Sequence, residues 1–243
     1  MSVLDPARIL VLVPALNEQE TIASVVSGAR AFLGCDVLVI DDGSSDDTRR
    51  CALDAGAMVI SHPFNLGVGA AIRTGFRVAV EQNRSHIVQL DADGQHEPSE
   101  AKRLLDRVAD DGADLAVGSR FGSGYELSWA RGLMMKLLSR TVSRRIGTRV
   151  DDTTSGFRAF GPRAVDEFAR AYPTEYLSDT VEALLLAGDE GLRIVVEPVQ
   201  MHQRRGGRPS SGRARSAVQL MRLWVVILLH PIRVRRNPRP RRS

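Results

Sequence analysis

The chain has 243 residues, 43% hydrophobic and 26% charged, which excludes a collagen, a coiled coil, a disordered polymer or a polytopic membrane protein and suits one fairly large domain or a domain with an appendage. Two cysteines, Cys35 and Cys51, exclude a disulfide framework or a Cys-rich zinc site and fit a reducing cytoplasm. The net charge of +4 is unevenly spread: no Asp or Glu follows Glu197, twelve arginines follow Gln200, and the remainder holds 21 basic against 29 acidic side chains, so an acidic body carries a basic tail suited to a polyanionic partner.

The apolar run at residues 9–13 is too short for a secretory signal core and reads as a buried strand. Strands are predicted at residues 8–13, 36–40, 58–61, 86–90 and 114–118. Helical patterns fall between them near residues 20–32, 46–55, 68–82 and 98–110, each bounded by Gly, Pro, Asn or Asp. Strict alternation of strand and helix predicts a mostly parallel, doubly wound sheet flanked by helices. The second half is less regular. A helix is predicted over 130–146, then a polar segment 151–158 leading into a strand, a helix over 177–187, a strand over 193–197, an Arg/Gly/Ser-rich loop over 203–215 and an amphipathic helix over 217–232. The expected organisation is a catalytic domain over 1–211, a helix over 212–232 and a basic disordered tail over 233–243.

Doubly wound sheets bind ligands beyond the carboxyl ends of their strands, so the residues leaving each strand matter most. Asp91-Ala-Asp93 follows the fourth strand. Two carboxylates two residues apart can meet one hard cation, with Gln95 adding a carbonyl oxygen. Mg2+ and Mn2+ favour such a set because they keep waters and phosphate oxygens as their other ligands. The competing reading is an acidic turn that caps the helix near Pro98. Asp42, after the second strand, is expected to face a ligand, with Ser45 or Asp46 capping the next helix. The glycines of Asn65-Leu-Gly-Val-Gly69 suit a tight, closely packed turn better than a phosphate cradle. Arg120, Arg204 and Arg205 have the guanidinium geometry for phosphate oxygens. None of the five histidines has metalloprotease spacing, and His96 is a candidate support behind the acidic motif.

The ordered motifs Pro14-Ala-Leu-Asn-Glu18, Asp41-Asp-Gly-Ser-Ser-Asp-Asp-Thr48, Asn65-Leu-Gly-Val-Gly69, Asp91-Ala-Asp-Gly-Gln-His96, Gly118-Ser-Arg120, Asp152-Thr-Thr-Ser-Gly-Phe-Arg158 and Arg204-Arg-Gly-Gly207 resemble the family-2 glycosyltransferases of GT-A fold, in their polyprenyl-phosphate (dolichol-phosphate-type) mannosyl- and glucosyltransferase branch. The resemblance implies inverting transfer of a sugar from a nucleoside-diphosphate donor, GDP-mannose ahead of UDP-glucose or another UDP-sugar, to a polyprenyl phosphate. It implies that Asp91, Asp93 and Gln95 hold Mg2+ or Mn2+, and that Pro14, Leu16, Glu18, Asp42, Asp91 and Ala92 line the donor site. Asp93, Asp152, Arg120 and Arg204 would serve the reaction, Asp152 near the acceptor and the arginines toward phosphates. The alternatives are a transferase acting on a polysaccharide or small-molecule hydroxyl, for which a carboxylate such as Asp152 would be the base, and a non-catalytic nucleotide-sugar-binding partner of a membrane protein. The late motif departs from the family at Arg208-Pro-Ser-Ser211.

Residues 223–229 are seven consecutive apolar residues, short of the roughly 20 that span a bilayer. With the arginines that follow, they suit a helix lying at the inner face of the cell membrane or docked on an integral membrane partner, the competing reading being a helix packed on the protein's own core with a solvated tail. Each Arg near an anionic surface contributes about 1 kcal/mol. A nucleic-acid partner is not expected, because the tail has no aromatic platform or recognised motif beside it.

Overall fold

A computed structural model describes residues 4–120, 129–174 and 179–200. After a single 3-10 turn at Pro6–Arg8 the elements run β1 (Ile9–Ala15), α1 (Ile22–Leu33), β2 (Asp36–Asp41), α2 (Thr48–Asp54), β3 (Met58–Ser61), α3 (Val68–Glu81), β4 (His86–Gln89), α4 (Pro98–Ala109), β5 (Leu115–Arg120), α5 (Trp129–Ile146), β6 (Arg158–Phe160), α6 (Pro162–Ala171), α7 (Asp179–Asp189) and β7 (Ile194–Val199). The seven strands form one sheet in the order β3-β2-β1-β4-β6-β5-β7. The pairs β1–β2, β1–β4, β2–β3 and β5–β7 are parallel, and β6 lies antiparallel between β4 and β5.

Strand alternation sorts the core into two layers. Ile9, Val11, Val13, Val37 and Val39 face one side and pack with Ile22, Val26 and Ala29 of α1 and Leu104, Leu105 and Val108 of α4. Leu10, Leu12, Leu38 and Ile40 face the other, against α3, α5, α6 and α7. A strand buried on both faces must be apolar at every position, which is why residues 9–13 read as an unbroken run. Pro14 is tolerated because its missing donor breaks no ladder bond. Leu12 O accepts from Leu90 N, so Pro14, of the same parity, faces β4, whose pairing with β1 ends at Leu12–Gln89.

The predicted strand–helix alternation holds through β5. Helix α6 is absent from the sequence-based expectation. It is amphipathic but polar on average: Ala164, Val165 and Phe168 are buried behind Pro162 at the first turn, and there is no long apolar run to announce it. Phe168 joins Phe76, Phe160 and Tyr172 in an aromatic cluster with ring centroids 4.9–5.5 Å apart. The predicted loop 203–215, the helix 217–232 and the tail lie outside the described residues, and so does Arg204. No helix among the described residues is long and apolar enough to cross a membrane.

Candidate active site

Parallel pairing carries the ends of β1, β2 and β4 to one edge of the sheet, and antiparallel β6 begins there, with Arg158 opposite Gln89. The loops after β1 and β2 are stitched together. Asn17, with φ of 55°, donates its N–H to Ser44 Oγ (2.9 Å) and accepts at Oδ1 from Ser45 N (2.8 Å) and Ser45 Oγ (3.2 Å). Glu18 N donates to Thr48 Oγ1 at 2.7 Å, and Asp47 N to Gln19 Oε1 at 3.0 Å. Ser45 donates to Asn17 through both N and Oγ and makes no capping bond to α2, which starts three residues later at Thr48. Asp46 does reach the first N–H of α2, at Thr48 (3.0 Å). Glu18 O accepts from Thr21 N and Ile22 N and starts α1, while half-buried Leu16 and Pro14 lie before this seam.

Asp42 is 4% exposed, and its carboxylate takes three protein donors: His62 Nδ1 at 2.7 Å and Leu66 N at 3.0 Å on Oδ1, and Gly67 N at 2.8 Å on Oδ2. His62 Nε2 meets Thr74 Oγ1 at 3.0 Å. Asp42 is thus the organiser of the turn that leads into α3. His62, the first residue beyond β3, is a polar partner that the sequence reading missed. The same turn uses its glycines for packing: a Cβ at Gly69 would lie 2.4 Å from Pro173 O, and Gly67 N is already given to Asp42 and Asn65. The tight-turn expectation for this motif fits these contacts.

The acidic turn leaves β4 through buried Leu90. Ala92, 4% exposed, anchors the turn in the core between half-buried Asp91 and Asp93. Asp93 Oδ1 accepts from Gln95 N at 3.0 Å, and Gly94 supplies the positive φ of 72° that the turn requires. No side chain caps α4, whose first residue is Pro98, so the acidic pair is not a helix cap. Asp91 is held from three sides. Its N–H donates to His96 Nδ1 at 3.0 Å, and His96 Nε2 lies 3.5 Å from Oδ2, in contact without a hydrogen bond. Gly156, from the segment entering β6, lies so close that a Cβ there would be 2.7 Å from Oδ1. Among the described residues no group of three or more His, Cys, Asp or Glu side chains is placed to hold a metal ion. Two carboxylates and an amide side chain on one turn offer oxygen donors only, the ligand chemistry that suits Mg2+ or Mn2+.

Asp91 also adjoins a buried polar cluster. Arg158 is fully buried, with Nε on Ser155 O and Nη2 on Thr180 O, both at 2.9 Å. Arg158 Nη1, Asp179 Oδ2 and Tyr172 Oη have no hydrogen-bond partner among the described residues. Burial, first of all, pushes the Asp179 carboxyl up to about 6; the Asp91 charge adds to this, and Arg158 opposes it. Burial and then the Asp179 charge raise the Tyr172 hydroxyl far above its ordinary value. Asp179 carried no signal in the sequence, since it is one acidic residue at a helix start.

Asp152 Oδ1 accepts from Thr154 N (3.1 Å) and Thr154 Oγ1 (2.9 Å), forming the turn that leads toward Gly156. Arg120 ends β5, in register with Val199.

A seven-stranded, mostly parallel sheet with helices on both faces and an acidic turn leaving its central strand β4 is the architecture of the GT-A glycosyltransferases. The chain belongs to glycosyl transferase family 2, whose profile matches residues 10–168. It is 32% identical over 242 residues to the polyprenol monophosphomannose synthase of Mycolicibacterium smegmatis, spanning 90% of each chain. It is 32% identical over 231 residues to the undecaprenyl-phosphate mannosyltransferase of Micrococcus luteus, covering 89% of this chain and 93% of that one. In fold it matches glucosyl-3-phosphoglycerate synthase from Mycobacterium tuberculosis, solved with Mn2+, uridine diphosphate and phosphoglyceric acid, with a TM-score of 0.70 over 91% of this chain and 77% of that one, at 20% identity.

Proposed function

We propose that the chain is a divalent-metal-dependent transferase that moves a sugar from a nucleoside diphosphate, GDP-mannose ahead of UDP-sugars, to a polyprenyl phosphate at the inner face of the cell membrane. The observation that carries this reading is the Asp91–Asp93 turn at the carboxyl edge of the sheet, with Asp91 held through its backbone N–H by His96 and its carboxylate against Gly156. The two mannosyltransferase relatives, named for polyprenyl-phosphate products or acceptors, support the acceptor class.

Asp91, Asp93 and Gln95 would hold Mg2+ or Mn2+, which when bound offsets the charge developing on the departing diphosphate. The stitched loops around Asn17 and Ser44 keep the donor side of the edge rigid, with Pro14, Leu16 and Glu18 bordering the nucleoside. An acceptor phosphate oxygen forms the new bond to the anomeric carbon, and the electron pair of the breaking bond leaves with the nucleoside diphosphate. A phosphate is anionic at neutral pH, so alignment and charge neutralisation suffice and no strong base is needed. Arg120 and Arg204 are assigned to phosphates of donor or acceptor, and Asp152 to the acceptor side. The basic C-terminus is assigned to the membrane surface or to an integral membrane partner.

The test is nucleoside-diphosphate release from GDP-mannose and UDP-sugars with Mg2+ or Mn2+ and a short polyprenyl phosphate, with the labelled product extracted into organic solvent. Asp93→Ala is expected to lower turnover at least a hundredfold while the chain stays folded. Normal turnover in that variant removes the metal assignment. Label that stays in the aqueous phase, on a hydroxyl acceptor, removes the lipid one.

A further inference from the structure

We infer that Asn17 is a positioning residue for the nucleoside-diphosphate donor, an inference that rests on the donor assignment proposed above. Three consecutive backbone N–H groups of the loop after β1, at Asn17, Glu18 and Gln19, donate to side chains of the segment after β2: Ser44 Oγ at 2.9 Å, Thr48 Oγ1 at 2.7 Å and Asp46 Oδ2 at 3.3 Å. Asn17 closes this clasp from the other direction, because its Oδ1 accepts from both Ser45 N at 2.8 Å and Ser45 Oγ at 3.2 Å.

The backbone at Asn17 is left-handed, with φ of 55°, and the only other non-glycine residue with a positive φ among the described residues is Asn83. Asn83 lies two residues beyond α3, where a left-handed residue ordinarily closes a helix. Asn17 lies two residues beyond a strand, where no helix end calls for it, and the bonds to Ser44 and Ser45 hold it. The partner segment is anchored separately. Ser44 N donates to Asp41 Oδ1 at 3.0 Å, and a Cβ at Gly43 would stand 2.6 Å from the backbone carbon of Phe64. The segment after β2 is therefore the fixed jaw, and the loop after β1 takes its position from it. Half-buried Leu16 and Glu18, both assigned to the nucleoside, flank Asn17 in the chain, so the turn at Asn17 sets where each of them lies. Asn17 itself is exposed and fills no core, so its hydrogen bonds are what it contributes.

The experiment is isothermal titration calorimetry of GDP and of UDP into the full chain with Mg2+, alongside thermal melts. Asn17→Gly accepts the left-handed backbone without strain but removes Oδ1. Nucleotide affinity is expected to fall about 10-fold, since displacement of a positioned group by an ångström can cost up to about 100-fold, while the melting temperature drops by only a few degrees. Asn17→Asp keeps both the acceptor and the tolerance for positive φ, and its affinity is expected to stay within a few-fold of the parent. Ser44→Ala removes only the acceptor of Asn17 N. It is expected to weaken binding a few-fold, and it carries the test should Asn17→Gly fail to fold. Parental affinity in Asn17→Gly or, failing that variant, in Ser44→Ala overturns the positioning role and leaves the donor site standing. A loss in Asn17→Asp as large as that in Asn17→Gly does the same. A parent chain that binds neither GDP nor UDP overturns the donor assignment and the inference with it.

Discussion

Gly156 leaves the space that the Asp91 carboxylate occupies: a Cβ at 156 would stand 2.7 Å from Oδ1 and 3.2 Å from Oδ2. The two residues are 65 positions apart, and the contact exists because β6 enters the sheet antiparallel to β4, with Arg158 opposite Gln89. Gly156 has no positive φ, so alanine is compatible with its backbone and acts through this contact alone.

Gly156→Ala is therefore expected to turn the Asp91 carboxylate and reduce turnover by about 10–100-fold, since displacement of a reactive-site group by an ångström can cost about two orders of magnitude. The melting temperature should change by only a few degrees. Steady-state rates with a nucleotide-sugar and a thermal melt check both. Unchanged turnover would show that the carboxylate is not constrained from this side.

Asp42 gives a different expectation. With three donors on a buried carboxylate, its removal leaves Leu66 N and His62 Nδ1 without their partner, while Gly67 N keeps only Asn65 Oδ1. Asp42→Ala should lower the unfolding free energy by about 3 kcal/mol, as measured by urea denaturation. A variant of parental stability with a raised KM for the donor would instead make Asp42 a ligand contact.

Asp179 sets a pH dependence. Its carboxyl moves from 3.8 to about 6 on folding, chiefly through burial, with Asp91 adding to the shift and Arg158 opposing it. Between these values the folded chain keeps a proton that the unfolded chain has released. Stability therefore declines as the pH rises from about 4 through about 6 and is level above that, with a total span of at most about 3 kcal/mol. Asp179→Asn should remove this decline. Urea unfolding of parent and variant at pH 4.5 and pH 7.5, without divalent cations, measures it, and equal slopes would assign the dependence to other groups.

Much of the fold was legible because it is periodic. The run at residues 9–13 and the helical spacing of α1, α3 and α4 repeat a pattern dictated by burial on two faces of a sheet. The acidic pair was legible because a strand ends at Leu90 and the motif follows at once. Helix α6 was hidden because its polar residues outnumber its buried ones, whereas β6 stands where a strand was expected after the polar segment 151–158.

The sequence by itself determined the layered α/β body, the order of its first five strands and the position of Asp91 and Asp93 at a strand exit. Each of these follows from local spacing and from the apolar pattern that burial imposes. Only the tertiary structure decided that His96 and Gly156 hold Asp91, that His62 and the Leu66–Gly67 turn close on Asp42, and that Arg158 and Asp179 share a buried cluster. Those pairings join polar residues from separate segments, and hydrogen bonding between such residues leaves no period along the chain.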